Sequence, residues 1–483
     1  MLATLRDVFG FSEFRASQER VVRGVLAGRS QLLIMPTGMG KSLCYQLPAR
    51  VLGGLTVVVS PLIALMKDQV DAAVGRGLRA AFINSTLDKG QRESAYRRLA
   101  RGDFELLYVT PERFRKPDFW AALRDGIAVQ GLSLLAIDEA HCISSWGHDF
   151  RPDFTRLGDV RRELGNPVTL ALTATATPEV RADILKQLNL EDAEVINEGL
   201  SRPNLAVEVH EVHGLDEKIR AAVGLRFSLE GPAIIYFSLV QSLRAFSTEL
   251  FRLNIPHVTY HGQLQDRERR QNQERFLAAG EGDADSLILA TPAFGLGVDK
   301  PNVRQVIHAE LPGSIEAYYQ EIGRAGRDGL PSRCSLLFDP DDISIQADFL
   351  KWANPDPGFI FSVYNLISRN PDRLRAEGFD YLRTQMNFYN RRDFRVETAV
   401  NLLERWDSVK VVSPREVVAL EDPPSEFLDK DKYELRFRAQ AKKLSDLSAF
   451  AQNDSYCRMV MIHKYFGSDL AAPCGVCDWC QRG

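Results

Sequence analysis

The sequence predicts an α/β protein of two lobes, each built on a parallel sheet, followed by a mainly helical region and a small cysteine-rich module. Three observations carry this. Short continuous apolar runs recur between helical stretches in two sets, as strands covered by helices on both faces require. A glycine-containing loop ending in Lys41-Ser42 stands between strand and helix in the first set only. Four of the seven cysteines crowd towards the C-terminus, at Cys457, Cys474, Cys477 and Cys480.

At 483 residues the chain is too long for a single core and suggests about three domains. With 45% hydrophobic and 26% charged residues its composition is that of a soluble globular protein. No apolar run approaches the ~20 residues that span a bilayer, and the N-terminus lacks a signal-peptide pattern. The expected location is therefore the cytoplasm, with no membrane partner. A formal charge of −4 gives no global basic signature, though a nucleic-acid groove needs only local Lys and Arg. Cys44, Cys142 and Cys334 are scattered and read as reduced and buried.

The first strand, Leu32-Leu33-Ile34, runs into Met35-Pro36-Thr37-Gly38-Met39-Gly40-Lys41-Ser42 and then a helical stretch. Gly38 and Gly40 let the backbone bring its N–H groups to phosphate oxygens, with Thr37 in the same loop. Lys41 supplies a point charge for the β/γ-phosphates, and the Ser42 hydroxyl is a natural Mg²⁺ ligand. Pro36 stands where the strict form of this motif has its first glycine. About one helix upstream lie Phe9, Phe11, Phe14, Arg15 and Gln18. The Gln18 amide suits the N6 and N7 edge of adenine and an arginine can stack on the ring; the alternative is an amphipathic helix start with the phenylalanines in the core.

Further strands follow at 55–59, 80–83, 106–109, 134–137 and 168–172. Functional residues should lie where such strands end. Ser60-Pro61, Thr110-Pro111-Glu112-Arg113, Asp138-Glu139-Ala140-His141 and Thr173-Ala174-Thr175 occupy those places. An Asp at a strand end downstream of a phosphate loop can hold Mg²⁺, and Glu139 beside Asp138 can polarise the attacking water.

Ser201-Arg202-Pro203-Asn204 reads as a linker, after which strands at 233–237, 286–290 and 303–307 make the second set. This half has no phosphate loop. Its distinctive stretch holds Gln320, Arg324 and Arg327. Two arginines three apart on a helix share a face and could reach together for a γ-phosphate; the alternative is surface arginines at a helix end. A nucleotide between two such lobes would couple its hydrolysis to their motion.

The phosphate loop, Asp138-Glu139-Ala140-His141, Thr173-Ala174-Thr175 and residues 320–327 together resemble superfamily 2 helicases. Three features narrow the resemblance to the RecQ family of DNA helicases: the element at 9–18, the aromatic-rich loop at 142–152, and the stretch at 290–304. It covers about residues 5–338. The resemblance implies two RecA-like lobes, at 1–200 and 201–340, that use ATP to move 3′→5′ on single-stranded DNA and unwind partial duplexes. It assigns Lys41, Asp138, Glu139, Gln320, Arg324 and Arg327 to catalysis. Arg15, Gln18, Thr37, Gly38, Gly40, Lys41, Ser42 and Asp299 would bind the nucleotide, and Ser42 and Asp138 its Mg²⁺. Trp146, His148, Phe150 and Arg151 would sense single-stranded DNA, on whose bases aromatic rings stack for ~1–3 kcal/mol each. Core packing is the other reading of Trp146 and Phe150. Two positions depart from the family: Pro292, where a polar residue is usual, and Tyr260-His261-Gly262-Gln263-Leu264, where the order is normally His-Ala-Gly.

Cys457, Cys474, Cys477 and Cys480 supply four thiolates, suited to tetrahedral Zn²⁺. An iron–sulfur cluster is the rival, and His463 a possible substitute for Cys457. The family's zinc module has this order, with the first cysteine on a helix, here expected at 456–466, and makes the site structural. The zinc module is expected at 426–483, preceded by a possible winged helix at 341–425. Helices at 359–367, 379–388 and 396–405 precede a β-rich end at 409–412, and a charged helix at 430–447 leads to the module. Arg369, Arg373, Arg375, Arg383, Arg391, Arg392 and Arg395 make this region locally basic. The expected function is a monomeric DNA helicase in repair or recombination, nucleoid-associated in a bacterium; the alternative is an ATP-switched DNA-binding or strand-annealing protein.

Overall fold

The computed structural model describes all residues except 16, 145, 147–150, 296–299, 387–392, 426–427 and 483, and the side chains of residues 64 and 152. Seven parallel strands form the first sheet: β1 (Gln31–Ile34), β2 (Leu55–Val59), β3 (Ala80–Ile83), β4 (Leu106–Val109), β5 (Leu132–Ile137), β6 (Thr169–Thr173) and β7 (Glu194–Asn197). Their spatial order is β3-β4-β2-β5-β6-β1-β7. The central strands alternate between two apolar clusters. Leu32, Ile34, Val57, Val59, Leu135 and Ile137 join one, while Leu33, Val58, Leu134 and Ala136 join the other. Successive side chains point to opposite faces, so both faces are dry and an unbroken apolar run is what a central strand needs. Each fully buried Leu, Ile or Val contributes ~1.5–3 kcal/mol.

The second sheet comprises β8 (Leu205–Glu211), β9 (Ala233–Tyr236), β10 (Val258–Tyr260), β11 (Leu287–Ala290), β12 (Gln305–His308) and β13 (Ser332–Phe338), in the order β10-β11-β9-β12-β13-β8, again all parallel. Four strands lack the expected apolar run. β7, β8 and β10 lie at sheet edges and carry Glu194, Glu208 or Thr259; β13 carries Arg333 and Ser335. Beyond β12, the Glu310 carboxylate accepts from the N–H groups of Ser238 (2.7 Å) and Leu239 (2.8 Å), where helix Val240–Arg252 begins.

The chain divides into two compact units: Met1–Phe338 with Phe450–Gly483, and Asp339–Ala449. Both sheets and the cysteine module belong to the first. The second contains helices Asp342–Ala353, Pro357–Arg369, Pro371–Glu377, Phe379–Met386 and Arg395–Arg405, then an antiparallel hairpin, Val409–Ser413 with Glu416–Ala419. Ile360, Val363, Leu382, Val400, Leu403, Val409 and Val417 share one core, so helices and hairpin fold together. The expected basic face is partly consumed by ion pairs. Arg383 pairs with Asp380 and Glu397, Arg395 with Asp393 and Arg375 with Asp372, whereas Arg391 and Arg392 lie outside the described residues.

No disulfide joins the described cysteines, and Cys44, Cys142 and Cys334 are buried. Among the described residues no helix is long and apolar enough to cross a membrane.

Candidate functional site

β1 delivers the chain to Met35, whose N–H bonds Thr173 O at the end of β6 (3.0 Å). The loop then turns through Gly38 and Gly40, both at φ +82°, a conformation that costs glycine nothing and side-chain-bearing residues much more. Ser42 is the N-cap of helix Leu43–Leu52, so the first N–H groups of that helix face the loop, as anion binding requires. Lys41 folds back over the loop, its Nζ donating to Met35 O (3.1 Å).

Gln18 is buried against this loop rather than open to a base. Its Nε2 donates to Met39 O (3.0 Å) and Gly40 O (3.1 Å), and its Oε1 accepts from the N–H of Arg15 (2.8 Å). The Arg15 residue itself is exposed. In this state the amide braces the phosphate loop.

β5 ends in Asp138, whose N–H bonds Val59 O on β2 (2.8 Å). Glu139 follows in the left-handed region, at φ 51° and ψ 47°, a costly conformation for a side-chain-bearing residue and one that recurs at functional sites. Burial, then the adjacent Glu139 carboxylate, push the Asp138 carboxyl up to about 7, with Lys41 working in the opposite direction. Two carboxylates crowded in this way, beside the Ser42 hydroxyl at a helix start, suit a divalent cation, which would relieve their repulsion. His141 connects this strand end to the next: its Nδ1 lies 3.3 Å from Glu139 Oε2 and 2.9 Å from Thr173 Oγ1. The Thr173 hydroxyl in turn donates to Thr175 O (2.9 Å).

The second lobe brings its arginines to the same cleft, though not on a helix. Helix Ile315–Ile322 carries Gln320 in its last turn and stops at Gly323; Arg324 and Arg327 lie in the glycine-rich turns beyond. Gly326 (φ +55°) and Gly329 (φ +84°) end the helical ladder, so the arginines share no helix face. They diverge. The stem of Arg327 lies over Gly38, where an added Cβ would come within 3.0 Å of Arg327 Cγ. Arg324 is buried inside the second lobe, against Tyr236 and Gly295. Thr37 Oγ1 approaches Gly323 O at 3.5 Å.

Of the aromatic-rich loop, Trp146 and Arg151 are described, while His148 and Phe150, like Asp299 of the second lobe, lie outside the described residues. Half-buried Trp146 packs on the first lobe's core, and its N–H bonds Ser144 Oγ (3.2 Å). Arg151 donates to Pro61 O (3.3 Å), tying the loop to the end of β2. The two unusual second-lobe segments also touch, through Thr291 N and Tyr260 O (3.1 Å).

The four C-terminal sulfurs lie within 4.8 Å of one another, with Cys457–Cys477 at 3.8 Å and Cys474–Cys480 at 4.0 Å. Tetrahedral zinc with Zn–S bonds of about 2.3 Å requires sulfurs ~3.8 Å apart. The donor set therefore fits a single zinc ion, whereas an iron–sulfur cluster spreads its thiolates over several irons. His463 is not part of the group: its Nδ1 lies 3.2 Å from Ser468 Oγ. Cys457 caps helix Arg458–Tyr465 rather than lying on it, with extended backbone (ψ 129°) that aims the thiol at the knuckle. Burial alone would raise its pKa, but the N–H groups of Cys474 and Val460, together with the neighbouring Cys474 and Cys480 thiols, bring it down to about 7. The module touches both lobes: Arg181 donates to Phe466 O (2.6 Å), and Val209 N to Asp478 Oδ2 (3.3 Å).

Sequence reasoning missed Arg202 and Asn204, which look like ordinary linker residues between Ser201 and the next strand. Both are bonded to the arginine-bearing turn. It also missed the His141–Thr173 contact, because nothing in sequence spacing says that residues 32 apart meet across adjacent strands.

Known families match along most of the chain: DEAD/DEAH box helicase over 15–184, helicase conserved C-terminal domain over 217–329, and RecQ zinc-binding over 424–481. The "ATP-dependent DNA helicase RecQ" of Bacillus subtilis is 45% identical over 71% of this chain and 56% of its own. The "Probable ATP-dependent DNA helicase RecS" of the same organism is 39% identical over 77% of this chain and 73% of its own. The chain thus spans little more than half the length of its RecQ relatives. The solved structure of S. cerevisiae Dbp5 bound to RNA and ADP BeF3 shares the fold, with a TM-score of 0.56 and 17% identity over 72% of this chain and 90% of that one.

Proposed function

The chain belongs to the RecQ family of ATP-dependent DNA helicases, and on that premise we propose that it hydrolyses ATP to move 3′→5′ along single-stranded DNA and unwind partial duplexes in repair or recombination. One observation carries the reading: the phosphate loop, the Asp138-Glu139 strand end and Arg327 converge from two lobes on a single cleft. The nucleotide would rest on the N–H groups of the Gly38–Gly40 turn, with Lys41 swinging from Met35 O to its β/γ-phosphates. Ser42 and Asp138 would hold Mg²⁺, which would neutralise charge at the phosphates. Glu139 would orient the attacking water. Arg327, already beside Gly38, is the better placed of the two arginines to meet the γ-phosphate, and Gln320 and buried Arg324 would support it from the second lobe.

DNA would be sensed through Trp146, Arg151 and their undescribed neighbours His148 and Phe150. The route to the ATP site runs through Ser144 and Cys142, since Arg151 N bonds Cys142 O (3.0 Å), and on to His141 and Glu139. Zinc held by Cys457, Cys474, Cys477 and Cys480 would be structural, because all four positions are filled by protein sulfur. Such an enzyme would work as a monomer in the cytoplasm, on the nucleoid if the host is bacterial.

The test is ATP hydrolysis with and without single-stranded DNA, alongside unwinding of a 3′-tailed duplex, with Lys41→Ala as control. DNA-stimulated hydrolysis with unwinding is expected, both lost in the variant. Hydrolysis indifferent to DNA would sink the motor reading.

A further inference from the structure

We propose that Arg202, on the linker crossing between the two sheets, is a positioning residue for ATP hydrolysis, holding the turn that carries Arg324 and Arg327 against the phosphate loop. The proposal rests on the ATPase reading above. The last carbonyls of helix Ile315–Ile322 accept from the turn beyond it, Tyr319 O from Gly323 N, Glu321 O from Arg324 N and Ile322 O from Ala325 N. The helical ladder goes no further, and the carbonyls of Gly323 and Ala325 need side-chain donors. Arg202 fills that need. Its Nη1 donates to Gly323 O (3.3 Å), and its Nη2 to Ala325 O (2.6 Å) and Gly326 O (3.0 Å).

Two neighbours grip the same turn. Asn204 Nδ2 donates to Gly326 O (2.8 Å) and Leu330 O (2.9 Å), and Leu200 O accepts from Tyr319 OH (2.7 Å). The fit is close enough that a Cβ on Gly326 would stand 2.4 Å from Asn204 Nδ2. Arg202 is only 9% exposed, and among the described residues no carboxylate lies within ion-pair range of it. Burying a guanidinium on carbonyls alone is a costly way to cap a turn. What it provides is a planar fork that fixes several carbonyls at once.

The other side of this turn faces the first lobe. Gly323 O, one of the carbonyls held by Arg202, is also approached by Thr37 of the phosphate loop, and Arg327 leaves the turn to lie on Gly38. Residues 198–204 join the two sheets, so a change in the angle between the lobes passes through the segment that grips the arginines. Lobe closure and arginine placement thereby become one movement.

Arg202→Ala in the whole chain should lower kcat for DNA-stimulated ATP hydrolysis about 10²-fold, the usual consequence of misplacing a catalytic group by ~1 Å. KM for ATP should stay within about threefold, because phosphate-loop binding is untouched. Millimolar guanidinium should restore part of the rate to Arg202→Ala, while Arg202→Lys, lacking the fork, should remain slow. Amide hydrogen exchange without nucleotide gives an independent readout. Residues 323–330 should exchange at least about tenfold faster in Arg202→Ala, with both sheets unchanged. An unaltered kcat, unaltered protection of 323–330, or a general loss of protection with kcat and KM changing together would each overturn the proposal. A parent chain that hydrolyses no ATP would remove the ATPase reading, and the exchange comparison alone would then decide whether Arg202 holds the turn.

Discussion

Removing the carboxylate of Asp478 should release the module's zinc about 10²-fold faster. Asp478 follows Cys477 directly, and its two oxygens accept from Arg458 Nε and Nη2, both at 2.9 Å. The side chains are 3% and 10% exposed, so this is a buried two-pronged pair. Breaking one partner of such a pair costs about 3–5 kcal/mol, because the other is left as an uncompensated charge. Arg458 would keep the carbonyls of Phe450 and Ala451, which favours the lower figure for Asp478→Ala. At about 1.4 kcal/mol per decade, 3 kcal/mol corresponds to roughly a hundredfold rise in the population of opened module. Transfer of zinc from the whole chain to a chromogenic chelator measures that opening. Asp71→Asn, at an exposed site, is the control. Replacing both partners, Arg458→Met with Asp478→Leu, should recover part of the loss by removing both charges. Release from Asp478→Ala within about threefold of the parent would refute the reasoning, since the pair would then hold nothing that solvent could not.

Gly38→Ala should reduce ATP turnover by at least about 10², because the substitution strains a φ of +82° and drives a methyl towards the Arg327 stem; steady-state kinetics decide it. Gln18→Glu cannot donate to Met39 O and Gly40 O, so turnover of ATP and GTP should fall together if the amide braces the loop. A loss confined to ATP would show it reading the base instead. His141→Ala cuts the contact between Glu139 and Thr173, and should lower DNA stimulation of hydrolysis more than basal hydrolysis. Burial pushes Cys44 and Cys334 up to about 12, leaving roughly 10⁻⁴ thiolate at pH 8; iodoacetamide should spare both until denaturant is added.

The sheets were legible wherever burial on both faces demanded an unbroken apolar run, as in Leu55–Val59. Edge strands such as Glu194–Asn197 were not, because one open side lets polar residues in and erases that signal. Candidate residues of the first lobe could be proposed from sequence because the phosphate loop and Asp138-Glu139 are each a short contiguous run at the end of a strand. Contacts between distant segments left no trace. The grip of Arg202 on residues 323–326 spans more than a hundred residues, and its linker composition looks like any loop. The helical placing of Arg324 and Arg327 failed for a local reason: Gly323, Gly326 and Gly329 outweigh the helical pattern that precedes them. Gln18 was expected to read adenine, and only coordinates reveal that its amide bonds the phosphate loop.

The carboxylate of Glu310 makes one helix start of the second lobe unwelcoming to other anions. At the end of β9 in the second lobe it occupies the N–H groups of Ser238 and Leu239, at the start of the helix that follows. By strand order the counterpart of this turn in the first lobe follows β2, at Ser60-Pro61-Leu62, while the phosphate loop after β1 answers to the turn after β8. The second lobe thus carries its own permanent anion at this helix start. A phosphate reaching this helix start in the second lobe would meet a carboxylate that repels it, which would leave the glycine loop of the first lobe as the favoured seat.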